Sequence, residues 1–441
     1  MVEKLTIRSP REKRTSHVEK ESAIVEGIDI SGHWNKMYQP REITSYDTDG
    51  LDKLTAIPGA ESMAYCYQCA KCIGACPVDT VGDYGPRKIY RKLQMGADLL
   101  DSADLWQCTT CMNCLRVCPK EVDMVQIMPA ARATAVMDGN VPGELAEMFQ
   151  NCAEYGNPLG ESPRRRGRWT RGLDVEVPDL SKEARPVDVL WFVGDYYAYH
   201  SRGNDAARSM ARVFNRLGVD FGTLGNEERC DGDSQRLAGE PGLFEMLAEH
   251  NIEQLNRHEF NKVVVSGPHA YNAIKNEYPR LGGSYNVEHY TQFLVQHMDA
   301  IRGMLQQPFE RKVTFHDPCY LGRHNGEYDA PRRLLEAVPG LELTEMWRCK
   351  EQGYCCGGGG GGMWLDGFMS EHVHERLSEN RVREAVAVGA EVLAVCCPYE
   401  VSRFEDAVKS TGNEGRLQVM DIIEILDASM GGESAGGNGT S

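Results

Sequence analysis

No run of the sequence approaches the roughly 18 consecutive apolar residues that a membrane-crossing helix needs; the longest apolar stretches, such as Val189–Val193 and Val392–Cys397, fall far short. No membrane span is expected. No secretory signal is expected either, because Met1–Arg14 is charged and no apolar segment follows it. The reading is cytoplasmic, with any membrane attachment peripheral and through a partner. Positive charge is in deficit: 48 Lys and Arg against 65 Asp and Glu leave a net charge of −17, which argues against nucleic-acid binding and favours partners with basic patches. The glycine run Gly357–Gly362 lacks the Lys-Ser/Thr pair of a phosphate-binding loop. Close backbone approach to a cluster explains those glycines better than a nucleotide site does.

Cysteine, by contrast, is plentiful, with 16 in the chain. A reducing compartment leaves metal binding as the leading explanation. Cys66, Cys69, Cys72 and Cys76-Pro77 follow C-x2-C-x2-C-x3-C-P, and Cys108, Cys111, Cys114 and Cys118-Pro119 repeat the spacing. This is a two-cluster ferredoxin signature, in which the first three thiolates of a run grip one cubane and the fourth reaches the other. Cys66, Cys69, Cys72 and Cys118 are therefore assigned to one [4Fe-4S] cluster, and Cys108, Cys111, Cys114 and Cys76 to a second. Zinc prefers two separated C-x2-C pairs and fits poorly. Small residues such as Gly74 and Ala75 leave amides free to approach cluster sulfides. Pro86–Met95 reads as helical, and Trp106 as packing.

At 441 residues the chain has room for about three folding units. The expected class is α + α/β: a helical ferredoxin-like domain, then two tandem α/β repeats with mainly parallel sheets. Residues 1–55 read as an irregular arm and 56–160 as the two-cluster domain, helical in character from Pro129 to Phe149. Residues 161–185 read as a basic linker, whose arginines (Arg164, Arg165, Arg166, Arg168, Arg171) suit a solvated loop. Residues 186–300 and 301–430 form the repeats, and 431–441 a disordered tail. In the first repeat, strands Val187–Val193 and Lys262–Ser266 alternate with helices Asp205–Leu217 and Gly242–His258. In the second, strands Lys312–Phe315 and Glu391–Val395 alternate with helices Pro331–Ala337 and Ser370–Ala387. Gly194-Asp195 aligns with Pro318-Cys319, Cys230-Asp231-Gly232 with Cys355-Cys356-Gly357, and Gly267–Ala270 with Cys397–Glu400. The first and third sets fall at strand C-terminal ends, where ligands of α/β folds gather.

Cys319, 35 residues, Cys355-Cys356-Gly357, then Cys397-Pro398 resembles the cysteine-rich CCG domain of heterodisulfide reductase. With the ferredoxin segment ahead of it, the order over roughly residues 60–425 resembles the fused catalytic subunit of that family. Relatives of that subunit include glycolate oxidase iron–sulfur subunits and proteins that take electrons from electron-transfer flavoprotein. His316–Arg323 and Asn276–Pro279 add to the likeness. The resemblance implies five cysteines per intact CCG domain, holding a non-cubane or fused iron–sulfur cluster that cleaves a disulfide in two one-electron steps. Cys319, Cys355, Cys356 and Cys397 match four of the five and carry the expected active centre; the last position is Glu400. An oxygen ligand there is one reading, and a surface or hydrogen-bonding glutamate the simpler one. In the first repeat Asp195, Asp231, Gly267 and Ala270 replace cysteines and Cys230 alone cannot hold a cluster, so that half is expected to be a scaffold or docking surface.

One CCG cluster then joins the two cubanes. Two functions stay open. The chain is either the terminal redox subunit of a heterodisulfide-reductase-like complex, handling a disulfide, or an electron wire in a larger assembly. The resemblance implies as partners a flavoprotein, a hydrogenase or dehydrogenase module, or a quinone-linked membrane subunit. Cys396 reads as a core thiol or spare ligand and Cys152 as structural. His316 reads as a hydrogen-bond or proton donor or as a packed residue, and His269 and His289 carry no assignment.

Overall fold

The computed structural model describes residues 49–432 and, before them, the paired antiparallel strands Ile24–Val25 and Ile28–Asp29. Most of the expected N-terminal arm, and the expected tail from residue 433, lie outside the described residues.

The first third is helical. Helix α1 (Pro86–Leu93) opens on a proline, whose missing N–H costs nothing in the first turn, and buries Ile89, Tyr90 and Leu93. Helix α2 (Met124–Met137) is capped by the Asp123 carboxylate, which accepts from the N–H groups of Val125 and Gln126. It buries Met124, Ile127, Met128, Ala131 and Ala135 as a stripe of helical period, with Arg132 on the same face. Helix α3 (Gly143–Tyr155) ends on Gly156 in the left-handed conformation. The helical stretch read from Pro129 to Phe149 is thus divided by a turn, where Gly139 has φ of 78°.

Two four-stranded sheets follow. The first holds β1 (Val187–Phe192), β2 (Phe221–Thr223), β3 (Phe260–Val265) and β4 (Val287–His289), in the order β2-β1-β3-β4. The second holds β5 (Lys312–Phe315), β6 (Glu342–Leu343), β7 (Val392–Val395) and β8 (Gln418–Asp421), in the equivalent order β6-β5-β7-β8. Every ladder in both sheets is parallel. Shared strand order and shared orientation make the duplication a property of the fold. Strand β7 is buried along its whole length and β1 nearly so, as parallel strands covered on both faces are.

Helices α4 (Ser201–Arg216), α5 (Pro241–Leu255), α6 (Asp329–Glu336), α7 (Leu377–Ala387), α8 (Pro398–Ser410) and α9 (Ile422–Ser429) cover the sheets. The helix expected over 370–387 is broken. A short helix ends at Ser370, the chain bends, and α7 starts at Leu377. The bend has a partner: Val373 forms an antiparallel bridge with Gly82, and His374 N–H donates to Val81 O at 2.9 Å. Contact with the helical region therefore outweighs the helical pattern there.

One hydrophobic core runs through both sheets, including Trp191, Phe192, Phe315, Ala394 and Met420. A second joins Met128 and Leu145 of the helical region to Cys230, Leu237, Tyr320 and Cys355 of the repeats. Between the repeats, Tyr290 Oη donates to Asp421 at 2.5 Å and Arg212 to Asp427 at 2.6 Å.

The basic stretch is not a solvated loop. Residues Pro163–Thr170 form a 3-10 helix that buries Arg166 and Trp169. Arg166, 2% exposed, donates to Asp195 at 2.8 Å and pairs with Glu228. Glu228 in turn accepts the N–H groups of Val193 and Gly194. Two carboxylates buried beside a strand end need a cation, and this segment supplies it. Replacing Arg166 by Met leaves both acids unpaired, so Arg166→Met should lower unfolding stability by about 3–5 kcal/mol, read from urea denaturation. A change under about 1 kcal/mol would mean that the ion pair contributes little.

Candidate metal centres

The two cysteine loops share one backbone conformation. Gln68 and Ala70 in the first, and Thr110 and Met112 in the second, have φ of 66°, 68°, 50° and 70°. Each stands two or four residues after the first cysteine of its run. Left-handed geometry is costly for such residues, and its recurrence at matched positions marks a common purpose. Alternating left-handed residues turn successive N–H groups into a concavity that receives an anion, as at many iron–sulfur sites.

Cys66, Cys69, Cys72 and Cys118 line one cavity of ≈ 470 Å³, together with Cys114. Cys76, Cys108, Cys111 and Cys114 line a second, of ≈ 340 Å³. Neither lining contains a histidine or a carboxylate, so the ligands on offer are soft thiolates. Lys71, Arg87 and Lys120 border the first cavity, which suits a net-negative group. Cys69 is exposed, and its thiol is held below the usual range by the Lys71 backbone N–H. Burial pushes the Cys76 thiol up to about 12 and Cys114 well above its ordinary value. Iron binding displaces such protons. The donor sets and the loop geometry both fit iron–sulfur clusters.

The C-terminal cysteines meet the second of these loops. Cys355 is in hydrogen-bonding contact with the thiols of Cys111, Cys319 and Cys356, which hold its own thiol well below the usual range. It also approaches Thr109 Oγ1 at 3.5 Å. The glycines now have a reason. A Cβ on Gly359 would stand 2.5 Å from Thr109 O, and one on Gly360 2.4 Å from Cys108 O. The N–H groups of Gly357 and Gly358 donate to the sulfurs of Cys355 and Cys356 at 3.3 and 3.4 Å, the kind of contact that tunes a cluster. The approach is to the backbone of a ferredoxin loop as well as to ligand sulfur.

Two arginines hold this junction, and sequence reading gave neither a role. Arg132 is fully buried and donates to the carbonyls of Leu105, Cys108, Leu237 and Gly360 at 3.0, 2.7, 2.9 and 2.8 Å. Arg323 donates to Cys111 O at 2.6 Å and Gly353 O at 2.7 Å. Arg323 lay inside a noted motif. Arg132 carried one faint signal, a charge within an apolar helical stripe.

Cys397 immediately precedes α8, packs with Tyr196 and Tyr399, and lines a small recess. The other walls of that recess include Asp195, Asp231 and Gly267, which align with Cys319, Cys356 and Cys397 of the second repeat, together with His269 and Ala270, which align with Tyr399 and Glu400. Burial, then Glu400, pushes the Cys397 thiol well up. Glu400 is not at the surface: it is 1% exposed, with Oε1 3.3 Å from His316 Nε2. His316 is equally buried, and burial, then Arg381, holds its ring well below its ordinary pKa. Cys396 lies in the large core, apart from Cys397, and His289 caps the helical residues after β4 while its Nε2 faces Cys396 O. His269 pairs with Asp233 at 2.6 Å. Cys152 and Cys230 share the amide of Gln235.

Residues 189–275 and 313–399 match the family described as "Cysteine-rich domain", and residues 62–122 match "4Fe-4S dicluster domain". Over 353 residues the chain is 36% identical to the "Probable iron-sulfur-binding oxidoreductase FadF" of Bacillus subtilis, covering 79% of this chain and 48% of that protein. It is 34% identical over 335 residues to the "EtfAB:quinone oxidoreductase" of Syntrophomonas wolfei, covering 75% and 47%. The chain thus spans about half the length of these two relatives. With one subunit of the dihydromethanophenazine:CoB--CoM heterodisulfide reductase of Methanosarcina barkeri the identity is 32% over 341 residues, covering 74% of this chain and 78% of that relative.

Two outcomes follow from the site geometry. Gly359→Ala should lower the melting temperature and destabilise by about 1–3 kcal/mol, since backbone meets the new methyl. Gly358→Ala, whose nearest neighbour is Cys356 Sγ at 3.6 Å, should be close to neutral. Equal effects would remove the argument from close approach. Asp231 is pushed up to about 7 by burial and then by Asp233, from an ordinary 3.8. The folded state holds that proton where the unfolded chain has lost it, so stability falls as pH rises from about 4 to 7. Asp231→Asn should match the parent only below about pH 4, lead it increasingly above that, and exceed it by about 4 kcal/mol near pH 8; parallel urea midpoints from about pH 4 to pH 8 would contradict this.

Proposed function

The chain belongs to the iron–sulfur oxidoreductase family that includes this heterodisulfide reductase component, and on that footing we propose that it relays electrons between two [4Fe-4S] cubanes and a C-terminal CCG-type centre. Cys66, Cys69, Cys72 and Cys118 hold the first cubane, and Cys108, Cys111, Cys114 and Cys76 the second. Cys319, Cys355, Cys356 and Cys397 serve the third centre. When bound, such clusters accept and release single electrons. The observation that carries this reading is the contact of Cys111 with Cys355: a thiol lining the second cavity touches one of the C-terminal set. Thr109, Arg323 and the glycine loop keep the two sites together.

Exposure gives the relay an outer end. Cys69, Tyr65 and Tyr67 are exposed, whereas Cys76, Cys111, Cys319 and Cys355 are buried. The first cubane is therefore the proposed contact for a protein partner. A flavoprotein of the electron-transfer type is favoured by the EtfAB:quinone oxidoreductase relative; a hydrogenase or dehydrogenase module or a quinone-linked membrane subunit would serve the same role. Among the described residues no helix is long and apolar enough to cross a membrane.

One observation favours disulfide chemistry over a plain wire. The cavity beside Cys397 is bounded by Asp231, His269, Tyr196 and Tyr399, so acidic and phenolic groups face the place where a small acceptor meets the C-terminal site. Reduction of a disulfide there consumes two electrons, delivered singly by the relay, and two protons, and yields two thiols.

Iron analysis under anaerobic conditions should give about twelve irons per chain, and Cys355→Ala about eight with both cubane signals retained. About eight in the unaltered chain would remove the third centre. Adding a thiol to the oxidised protein should produce a new paramagnetic signal that Cys355→Ala lacks. Its absence from the unaltered protein would leave the wire.

A further inference from the structure

We propose that Glu400 is an oxygen ligand to iron in the C-terminal centre, with His316 as the residue that positions it. The inference deepens the functional reading and rests on it. A carboxylate oxygen of Glu400, a ring nitrogen of His316 and Cys356 Sγ all lie within 4.8 Å of one another, and all three residues are buried. Such a mixed oxygen, nitrogen and sulfur grouping is unlike the all-thiol linings of the ferredoxin cavities.

The hydrogen bonds assign the roles. Arg381 Nε donates to His316 Nδ1 at 3.0 Å, so Nδ1 is the accepting nitrogen and the ring proton sits on Nε2. Nε2 faces Glu400 Oε1 at 3.3 Å. His316 therefore has no lone pair to offer a metal; it donates toward the carboxylate and fixes its direction, as partners of ligand side chains do. Among the described residues no ion pair joins Arg381 to Glu400: its Nη1 is taken by Glu384 and by Arg348 O and its buried Nη2 has no hydrogen-bond partner, so its charge acts on the carboxylate only at a distance.

That leaves Oε2. It is shielded from solvent and has no hydrogen-bond partner among the described residues. Ionised, it is a buried charge with an open acceptor; protonated, it is a buried donor with nowhere to donate. Either state is costly. An iron held also by Cys356 removes the difficulty in both respects, since it needs the proton gone and supplies the positive charge. The position is also the one at which the sequence pattern replaces a fifth cysteine by glutamate. A hard carboxylate in place of a thiolate makes that iron distinct from its neighbours.

The test is Mössbauer spectroscopy of the full chain loaded with iron-57, alongside iron analysis. The unaltered protein should show an iron component separate from those of the all-cysteine sites. Glu400→Ala should lose that component, with iron falling by about one per chain and the ferredoxin signals unchanged. If Glu400→Ala sheds the whole centre, Glu400→Cys decides: recovery of the centre with the distinct component replaced by a thiolate-type one supports the ligand. The distinct component persisting in Glu400→Cys overturns it. His316→Gln, which still presents a donor, should keep the component, and His316→Leu should broaden or shift it. A third centre whose spectrum is identical in Glu400→Ala overturns this inference alone. An unaltered protein without a third centre overturns the functional reading and the inference together.

Discussion

The architecture turns on a single buried guanidinium. Arg132 binds carbonyls from three separate parts of the chain: the approach to and first cysteine of the second ferredoxin loop, the first repeat at Leu237, and the glycine loop at Gly360. Those carbonyls belong to short helices and to the turns that follow them, at Leu105 and Cys108, at Leu237, and in the glycine loop. A guanidinium meets several such acceptors at once because its N–H groups diverge in a fixed plane. Trp106 lies against its other side, 5.7 Å from ring centre to guanidinium. The neutral carbonyls do not cancel the charge. The Cys108 sulfur acts on this charge, and the ligation proposed for it would put negative charge nearby and offset the cost of burying the arginine. The same residue that joins the domains is thus electrostatically matched to the chemistry they share.

The two repeats solve one problem in two ways. Strand ends of a parallel sheet leave loops with polar groups and room for a ligand. In the second repeat Cys319 and Cys356 meet Cys355, and Cys397 lines the recess facing the first repeat. In the first, Asp195 is held by Arg166, Asp231 accepts the N–H of Asp233, and Asp233 carries both Arg236 and His269. Ion pairs and hydrogen bonds fill the space that thiols frame in the other half. The backbone duplication survives because strand order depends on apolar packing, which these substitutions do not touch. The first repeat also supplies part of the wall of the cavity beside Cys397.

Much of this was legible before any coordinates. Alternation of short β-branched runs with helices led to two parallel sheets, since burial on both faces leaves that mark on strands. The paired cysteine spacing led to two thiol-lined cavities, because spacing within a tight loop determines which sulfurs can converge. What failed were inferences from local charge and local period. Arg166 sits in a run of arginines that looks solvated, and only the distant Asp195 and Glu228 explain its burial. Residues 371–376 carry a helical pattern, yet pairing with Gly82 and Val81 diverts them. Glu400 looks like an ordinary surface residue until His316 and Cys356 surround it. In each case the deciding partner lies tens or hundreds of positions away, and a single sequence does not record such pairs.

The three proposed centres also differ in what surrounds them, and this polarises the molecule. At the outer cavity an exposed thiol, two exposed tyrosines and the basic side chains of Lys71, Arg87 and Lys120 meet solvent. Its border is basic on a chain whose net charge is −17. At the inner end the recess between the repeats is walled by carboxyl and phenol groups. In the proposed disulfide reduction the outer end exchanges electrons without protons while the acceptor consumes two, and Asp231, pushed up to about 7 by burial and then by Asp233, lines the inner recess. That distribution of titratable groups fits a proton-coupled step at the recess and one-electron exchange at the exposed loop.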